Sequence, residues 1–171
     1  LSLLDRTGRT LYAVSYPQRV YDSFAEMPDL VVNALLFIEN RELASLEHPY
    51  RNPAVEWDRL AKAAFDQGWD KLFGGRPRSG GSTLATQIEK FRHSPEGRTA
   101  DAEEKLRQIA AASLRSYLDG RTTLERRREI VLDYVNSVPL AAAPSLGEVI
   151  GLGDGLWAWY DLEFSRVNAA L

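Results

Sequence analysis

Residues 76–90 read RPRSGGSTLATQIEK, a glycine-rich loop that runs into a segment with apolar residues at helical spacing. Leu84, Ile88 and Phe91 recur three or four residues apart, which predicts a helix after the loop, with Ser82 as its N-cap. Glycines let backbone N–H groups approach an anion, and a helix N-terminus adds partial positive charge. The stretch therefore indicates a phosphate-binding loop, with an ordinary turn as the alternative.

Basic residues surround this loop. Arg76 and Arg78 precede it, and Lys90 and Arg92 follow on the predicted helix, against the single acidic residue Glu89. Such a cluster at a helix N-terminus could hold a phosphate or diphosphate, although a solvated arginine face is an equal alternative. The loop lacks the Gly-Lys-Ser/Thr ending of a nucleotide P-loop, which disfavours an ATPase.

Upstream of the loop, an apolar helix is predicted after Pro28. Leu30, Ala34 and Ile38 form one stripe of it, and Glu39 stands at its far end. A carboxylate where a helix leaves the core can be desolvated enough to serve as a general base. A boundary carboxylate bound to solvent is the alternative.

The remaining pattern predicts a mainly α-helical fold with a short N-terminal β-hairpin. Strands over 2–5 and 10–14 flank Gly8, which can take the left-handed conformation of a tight turn. Further helices are predicted over residues 56–73, 102–117, 122–138 and 149–159, the last two opened by capping boxes at Thr122/Glu125 and Ser145/Glu148. We expect residues 1–24 to form the hairpin and leading segment, and residues 25–171 to form one domain that is truncated at its C-terminal end.

The composition of the chain excludes several classes of function. A chain of 171 residues with 44% hydrophobic residues can bury a core, and its net charge of −3 provides no general attraction for nucleic acid. Arginines and glutamates interleave over residues 121–128, as on a solvated helix face. Cysteine is absent, and His48 and His93 lack metal-site spacing, so no metal site is predicted. Without an apolar run of membrane-spanning length, we expect a soluble piece of a longer chain that carries any anchor.

Four segments in order resemble the family 51 glycosyltransferases, which are the peptidoglycan glycosyltransferase domains of class A penicillin-binding proteins and the monofunctional transglycosylases. These segments are residues 32–41, residues 80–90, the region of Lys105, and residues 130–136. The resemblance spans nearly the whole chain. It implies a lysozyme-like helical domain on the outer, extracytoplasmic face of the cell membrane.

The resemblance also implies a reaction, in which the 4-hydroxyl of an acceptor lipid II attacks C1 of the growing donor, inverts it and expels undecaprenyl diphosphate. Glu39 would be the base. The residues that would hold the donor diphosphate are Gly80, Gly81, Ser82, Thr83, Gln87, Lys90 and Lys105. Arg76 and Arg78 are added to this set because of their charge alone. The family motifs also include Asn40, His48, Tyr134 and Asn136. Expected partners are lipid II, the glycan strand, the membrane surface and proteins of cell division or cell-wall synthesis. The sequence itself requires no cofactor, and a divalent ion (Mg²⁺ or Mn²⁺) at the diphosphate is an implication of the family.

The chain departs from the family pattern at several motif positions. Asn40 stands where the family has Asp, and Leu43 stands for the usual Phe before His48. Gln108 replaces the second catalytic Glu and cannot take up a proton, a loss that typically lowers rates about 10²–10⁴-fold. Glu104, one turn earlier, could substitute for it.

Two alternatives therefore remain beside the transferase. The first is a catalytically degenerate domain that binds lipid-linked glycan as a scaffold in cell-wall assembly. The second is a lysozyme-like hydrolase, which is disfavoured because hydrolysis has no use for a phosphate-binding loop.

Overall fold

A computed structural model of the chain describes residues 2–13, 20–56, 82–93, 102–144 and 146–171. Within them lie two strands, β1 (Ser2–Leu4) and β2 (Thr10–Ala13), a 3₁₀ turn (Phe24–Glu26), and the helices α1 (Asp29–Glu39), α2 (Leu84–His93), α3 (Ala102–Ser116), α4 (Leu124–Ser137), α5 (Gly151–Tyr160) and α6 (Phe164–Asn168). The mainly α fold with an N-terminal hairpin is confirmed. The helix predicted over 56–73 lies almost wholly outside the described residues.

The hairpin is antiparallel and closes as the sequence predicts. Leu3 pairs with Tyr12, and a bulge follows where Leu4 pairs with Thr10. Gly8 has a φ of +85°, the left-handed conformation that glycine adopts without strain. Asp5 stabilises the turn because its Oδ1 accepts hydrogen bonds from the Thr7 hydroxyl and from backbone N–H groups, contacts that lower the pKa of the Asp5 carboxyl.

Helix α4 lies at the centre of the core. Its Val131 is 1% exposed and packs among buried residues of the surrounding helices: Leu36 from α1, Leu84 and Ile88 from α2, and Ala112 from α3. Burial of these side chains is the main favourable term for holding the helices together. The ends of α1, α2 and α4 therefore have fixed relative positions.

The buried carboxylate of Glu89 adds a polar link between α2 and α3. The side chain of Glu89 is 3% exposed, and its Oε1 lies 2.9 Å from Nε of Arg115 and 3.7 Å from Nη1 of Arg92. Arg92 also pairs with Asp133 of α4 at 2.9 Å. The charge of Arg92 is thus compensated within the fold, which weakens the predicted basic cluster around the loop at 76–81.

The junction of α4 and α5 requires a glycine. Gly151 has a φ of +75°, and a Cβ atom built on it would lie 2.5 Å from the backbone oxygen of Asn136. Its N–H donates to the carbonyl of Val138 at 2.8 Å. Both the backbone conformation and the close approach exclude a side chain at this position without rearrangement.

Three helix starts differ from the sequence prediction. Helix α2 begins at Leu84, so Thr83 is its cap in place of Ser82, and the Thr83 hydroxyl accepts from the N–H of Thr86 at 3.3 Å. Thr123, not Thr122, occupies the N-cap position of α4, and its hydroxyl makes no capping bond to the helix but donates to backbone carbonyls of the 41–56 loop. Helix α5 begins at Gly151, two residues later than predicted, with Ile150 in the cap position.

Helix α3 turns its apolar stripe outward. Leu106 and Leu114 are 66% and 73% exposed, and Leu118, just after the helix ends, is 68% exposed. Gln108 and Ser116 are buried. The spacing of Leu106, Ala110 and Tyr117 places Gln108 opposite this stripe and leaves open whether Gln108 lines a cleft or is exposed; in the structure it is buried. In the part of the chain that the structure describes, no helix is long and apolar enough to cross a membrane.

Candidate active site

Glu39 is the last residue of α1, and its side chain is half-buried. Gln87 on α2 donates a hydrogen bond from Nε2 to Glu39 Oε2 at 3.0 Å. Tyr134 on α4 donates from its hydroxyl to Gln87 Oε1 at 3.2 Å. Three predicted site residues that lie far apart in sequence thus form one hydrogen-bonded chain, phenol to amide to carboxylate.

The environment of Tyr134 keeps its phenol protonated. Burial raises the pKa of the Tyr134 hydroxyl, and the negative charge of Glu39 raises it further. The ring is tilted against Phe91 of α2, with centroids 6.4 Å apart. A protonated phenol in a fixed position can act as a hydrogen-bond donor throughout the neutral range.

Asn40 ends α1 and begins the loop that follows Glu39. Its backbone N–H donates to Leu36 at 3.0 Å, and its Oδ1 accepts from the N–H of Glu42 at 3.0 Å. This is an Asx-type turn, in which a short side chain replaces a backbone acceptor. At this position Asn serves the local geometry of the turn beside the carboxylate.

Arg127 anchors the same loop and was missed by the sequence analysis. It is 2% exposed, which contradicts the prediction that residues 121–128 form a wholly solvated face. Its guanidinium donates to the carbonyls of Ser45 (3.1 Å), Arg51 (2.9 Å) and His48, and its Nε donates to the Thr123 hydroxyl at 3.0 Å. Burial lowers the pKa of Arg127, in the first place by removing water from the charge.

A sequence signal for Arg127 did exist. It stands three and four residues before Ile130 and Val131, both buried, and so lies on the core face of α4. Arg128, by contrast, is exposed and pairs with Glu125 at 2.8 Å, as a solvated face predicts. His48 is exposed, and its described contact with this network is through its backbone carbonyl.

Asn136 holds a segment at the start of the domain. It is buried, its Oδ1 accepts from the N–H groups of Val20 (3.0 Å) and Tyr21 (3.3 Å), and its Nδ2 donates to the carbonyl of Tyr21 at 2.9 Å. The side-chain amide thus pairs with a backbone much as a neighbouring strand would. The contacts of Asn136 are structural, and they do not reach Glu39.

Other predicted residues are placed on neighbouring elements. Gln108 is buried on α3, with its Nε2 3.4 Å from Oε1 of Glu104. Lys105 on α3, Lys90 on α2 and Ser82 before α2 are all half-buried. Thr83 is buried at the α2 cap. Gly80, Gly81, Arg76 and Arg78 lie outside the described residues.

The described residues do not fit a protein-held metal centre. No three His, Asp or Glu side chains come together among residues 2–13, 20–56, 82–93, 102–144 and 146–171 in a way that could hold an ion.

The fold and this site define a mainly helical domain whose candidate chemistry centres on a carboxylate at a helix end. The chain belongs to the transglycosylase family, because a family model described as Transglycosylase matches residues 7–170, nearly its whole length. A search of curated proteins finds no match.

Proposed function

We propose that the protein is a peptidoglycan glycosyltransferase that polymerises lipid II. The observation that carries this proposal is the chain from Tyr134 through Gln87 to Glu39, which unites residues of three family motifs around one carboxylate. A carboxylate held by an amide donor has a defined orientation, as a general base requires. Membership of the transglycosylase family supports the reaction class.

In the proposed reaction the 4-hydroxyl of the acceptor sugar attacks C1 of the donor from the face opposite the diphosphate. Glu39 removes the hydroxyl proton as the new C–O bond forms. The bond between C1 and the diphosphate oxygen breaks with its electron pair, and undecaprenyl diphosphate leaves. A single displacement of this kind inverts the anomeric carbon.

The leaving diphosphate needs positive charge and hydrogen-bond donors. We assign this task to Lys90, Lys105, Ser82 and Thr83, together with the loop residues Gly80, Gly81, Arg76 and Arg78. Thr83 supports the assignment, because it caps the N-terminus of α2, which carries the partial positive charge of a helix start. Gln87 contacts Glu39 in this structure, and its family role at the diphosphate stays a prediction.

The remaining expectations of the resemblance belong to the same proposal. The enzyme would work at the outer face of the cell membrane, where lipid II is presented, beside proteins of cell division or cell-wall synthesis. A divalent ion bound by the diphosphate oxygens would offset their charge during departure. No step of the proposed proton transfer depends on that ion.

Gln108 favours a second candidate function, a degenerate domain that binds lipid-linked glycan without polymerising it. The side chain is 8% exposed and lies beside Glu104, in the place of a family carboxylate. An amide there can donate and accept hydrogen bonds but cannot supply a proton.

The test is incubation of the chain with labelled lipid II in detergent, with separation of glycan strands by gel. The proposal predicts strands that a muramidase degrades, with release of undecaprenyl diphosphate. Retained lipid II binding without strands would favour the scaffold, and cleavage of preformed glycan would favour a hydrolase.

A further inference from the structure

The side-chain amide of Gln87 has one acceptor end and one donor end, and only the donor end suits a carboxylate. Its Nε2 faces Glu39 Oε2 at 3.0 Å. Turned by 180°, the amide would place Oε1 against the carboxylate, and two oxygens without a proton between them repel. The carboxylate itself disfavours the turned state, and a second partner that favours one end of the amide would add a further constraint.

Tyr134 supplies that constraint. Its hydroxyl lies 3.2 Å from Gln87 Oε1 and can donate only to an oxygen at that place. The ring is held by its packing against Phe91, so the hydroxyl has little freedom to follow a turned amide. In the turned state the phenol would have to accept from Nε2, and its own proton would lose the acceptor Oε1.

We propose that Tyr134 is a positioning residue, which acts on the base Glu39 through Gln87 by locking the amide with its donor end toward the carboxylate. The protonated state that this requires is favoured by burial of the phenol and by the nearby charge of Glu39. The inference rests on the proposed function for its catalytic meaning, but the lock itself is a property of the three side chains.

The lock is tested without turnover by NMR of the ¹⁵N-labelled chain, with the Gln87 amide signals identified by their loss in Gln87→Leu. We expect one Gln87 side-chain amide proton to have a chemical shift downfield of that in free glutamine. In Glu39→Gln this downfield displacement should be lost. In Tyr134→Phe the shift should shrink although Glu39 is intact. Tyr21→Phe is the matched control, since that buried hydroxyl donates to Asn168 at 2.8 Å, and it should leave the signals unchanged.

The kinetics of glycan synthesis provide a second test. If Tyr134 acts through Gln87, Tyr134→Phe should lower kcat about three- to tenfold, the range of one hydrogen bond, with KM unchanged. The same substitution in a Gln87→Leu background should cause no further loss. Unchanged Gln87 signals in Tyr134→Phe, or multiplied losses in the double variant, would overturn the inference. A chain that makes no glycan would contradict the proposed function and leave the NMR result to decide the lock.

Discussion

The side-chain amide of Gln87 donates a 3.0 Å hydrogen bond to the carboxylate of Glu39 across 48 residues of sequence. This contact joins the C-terminal end of α1 to α2, and Tyr134 extends it to α4. The geometry at Glu39 therefore depends on how these helices pack, and not on local sequence alone. Substitutions that loosen the packing should affect both stability and the site, whereas substitutions of the polar atoms should, near neutral pH, affect chiefly the site.

Restoring a carboxylate at position 108 should raise activity. Gln108→Glu would place a second acid beside Glu104, and because two carboxylates so close disfavour joint ionisation, one of them would hold a proton. We expect a gain in polymerisation rate of about 10²-fold, measured as lipid II consumed per minute.

The control for this gain is Gln108→Met, which has similar volume and no acid group. It should bring no increase. If Gln108→Glu also leaves the polymerisation rate unchanged while lipid II binding is retained, the degenerate scaffold becomes the better description of the protein.

Loss of Arg127 should destabilise the fold. Arg127→Ala leaves the carbonyls of Ser45, His48 and Arg51 without their buried donor, and we expect a decrease of about 3 kcal/mol in the free energy of unfolding. Arg128→Ala is the neighbouring control, since it removes an exposed ion pair with Glu125 and should change stability by less than about 1 kcal/mol. Equal effects in urea denaturation would contradict the anchoring role.

Gly151→Ala separates close approach from backbone strain. Gly8 also has a positive φ, but a Cβ there meets nothing within 4 Å, whereas at Gly151 it meets the Asn136 backbone at 2.5 Å. Gly8→Ala should lower stability by about 1–2 kcal/mol through strain alone, and Gly151→Ala by at least about 2 kcal/mol more. Similar unfolding free energies for the two variants would contradict the close contact between α4 and α5.

Alkaline pH should weaken the fold through Tyr134. The folded protein raises the pKa of this phenol above its ordinary value of 10.0, chiefly by burial, so ionisation opposes folding. The contribution is fully present below the pKa of the unfolded chain and is lost as pH rises through the folded value. Tyr134→Phe should therefore lose less stability than the wild type between about pH 9 and 11 in urea titrations. Parallel losses would show that Tyr134 does not titrate in this way.

The sequence predicts the position and the end of α1, which stops at Glu39, and Gly8 closes the hairpin. It does not predict the buried side of α1, because Leu30 and Ile38 of the expected stripe are 60% and 74% exposed, whereas Val32 and Leu36 are buried. Spacing alone cannot tell which side of a helix faces the core, as Leu106 and Gln108 of α3 show. Leu106 is exposed, and Gln108 is buried.

Polar contacts between distant segments are the part that spacing does not reveal. In the sequence Arg127 is one of several neighbouring arginines. Its role depends on the 41–56 loop, whose carbonyls accept its hydrogen bonds. Gln87 was assigned to the diphosphate from its motif, and its bond to Glu39 depends on where the core places the C-terminal end of α1 relative to α2. Thr122 and Thr123 offer equal capping groups in sequence, and in the structure Thr123 takes the N-cap position while its hydroxyl donates to the carbonyl of Arg51 in the loop.

The most direct test of the account is the rate of glycan formation from lipid II by wild type and Glu39→Gln. Glu47→Gln is the matched control, because it removes an exposed carboxylate from the neighbouring loop. We expect Glu39→Gln to lower the rate at least about 10²-fold with the fold intact, and Glu47→Gln to match wild type. Equal glycan synthesis by wild type and Glu39→Gln would contradict the assignment of Glu39 as the base.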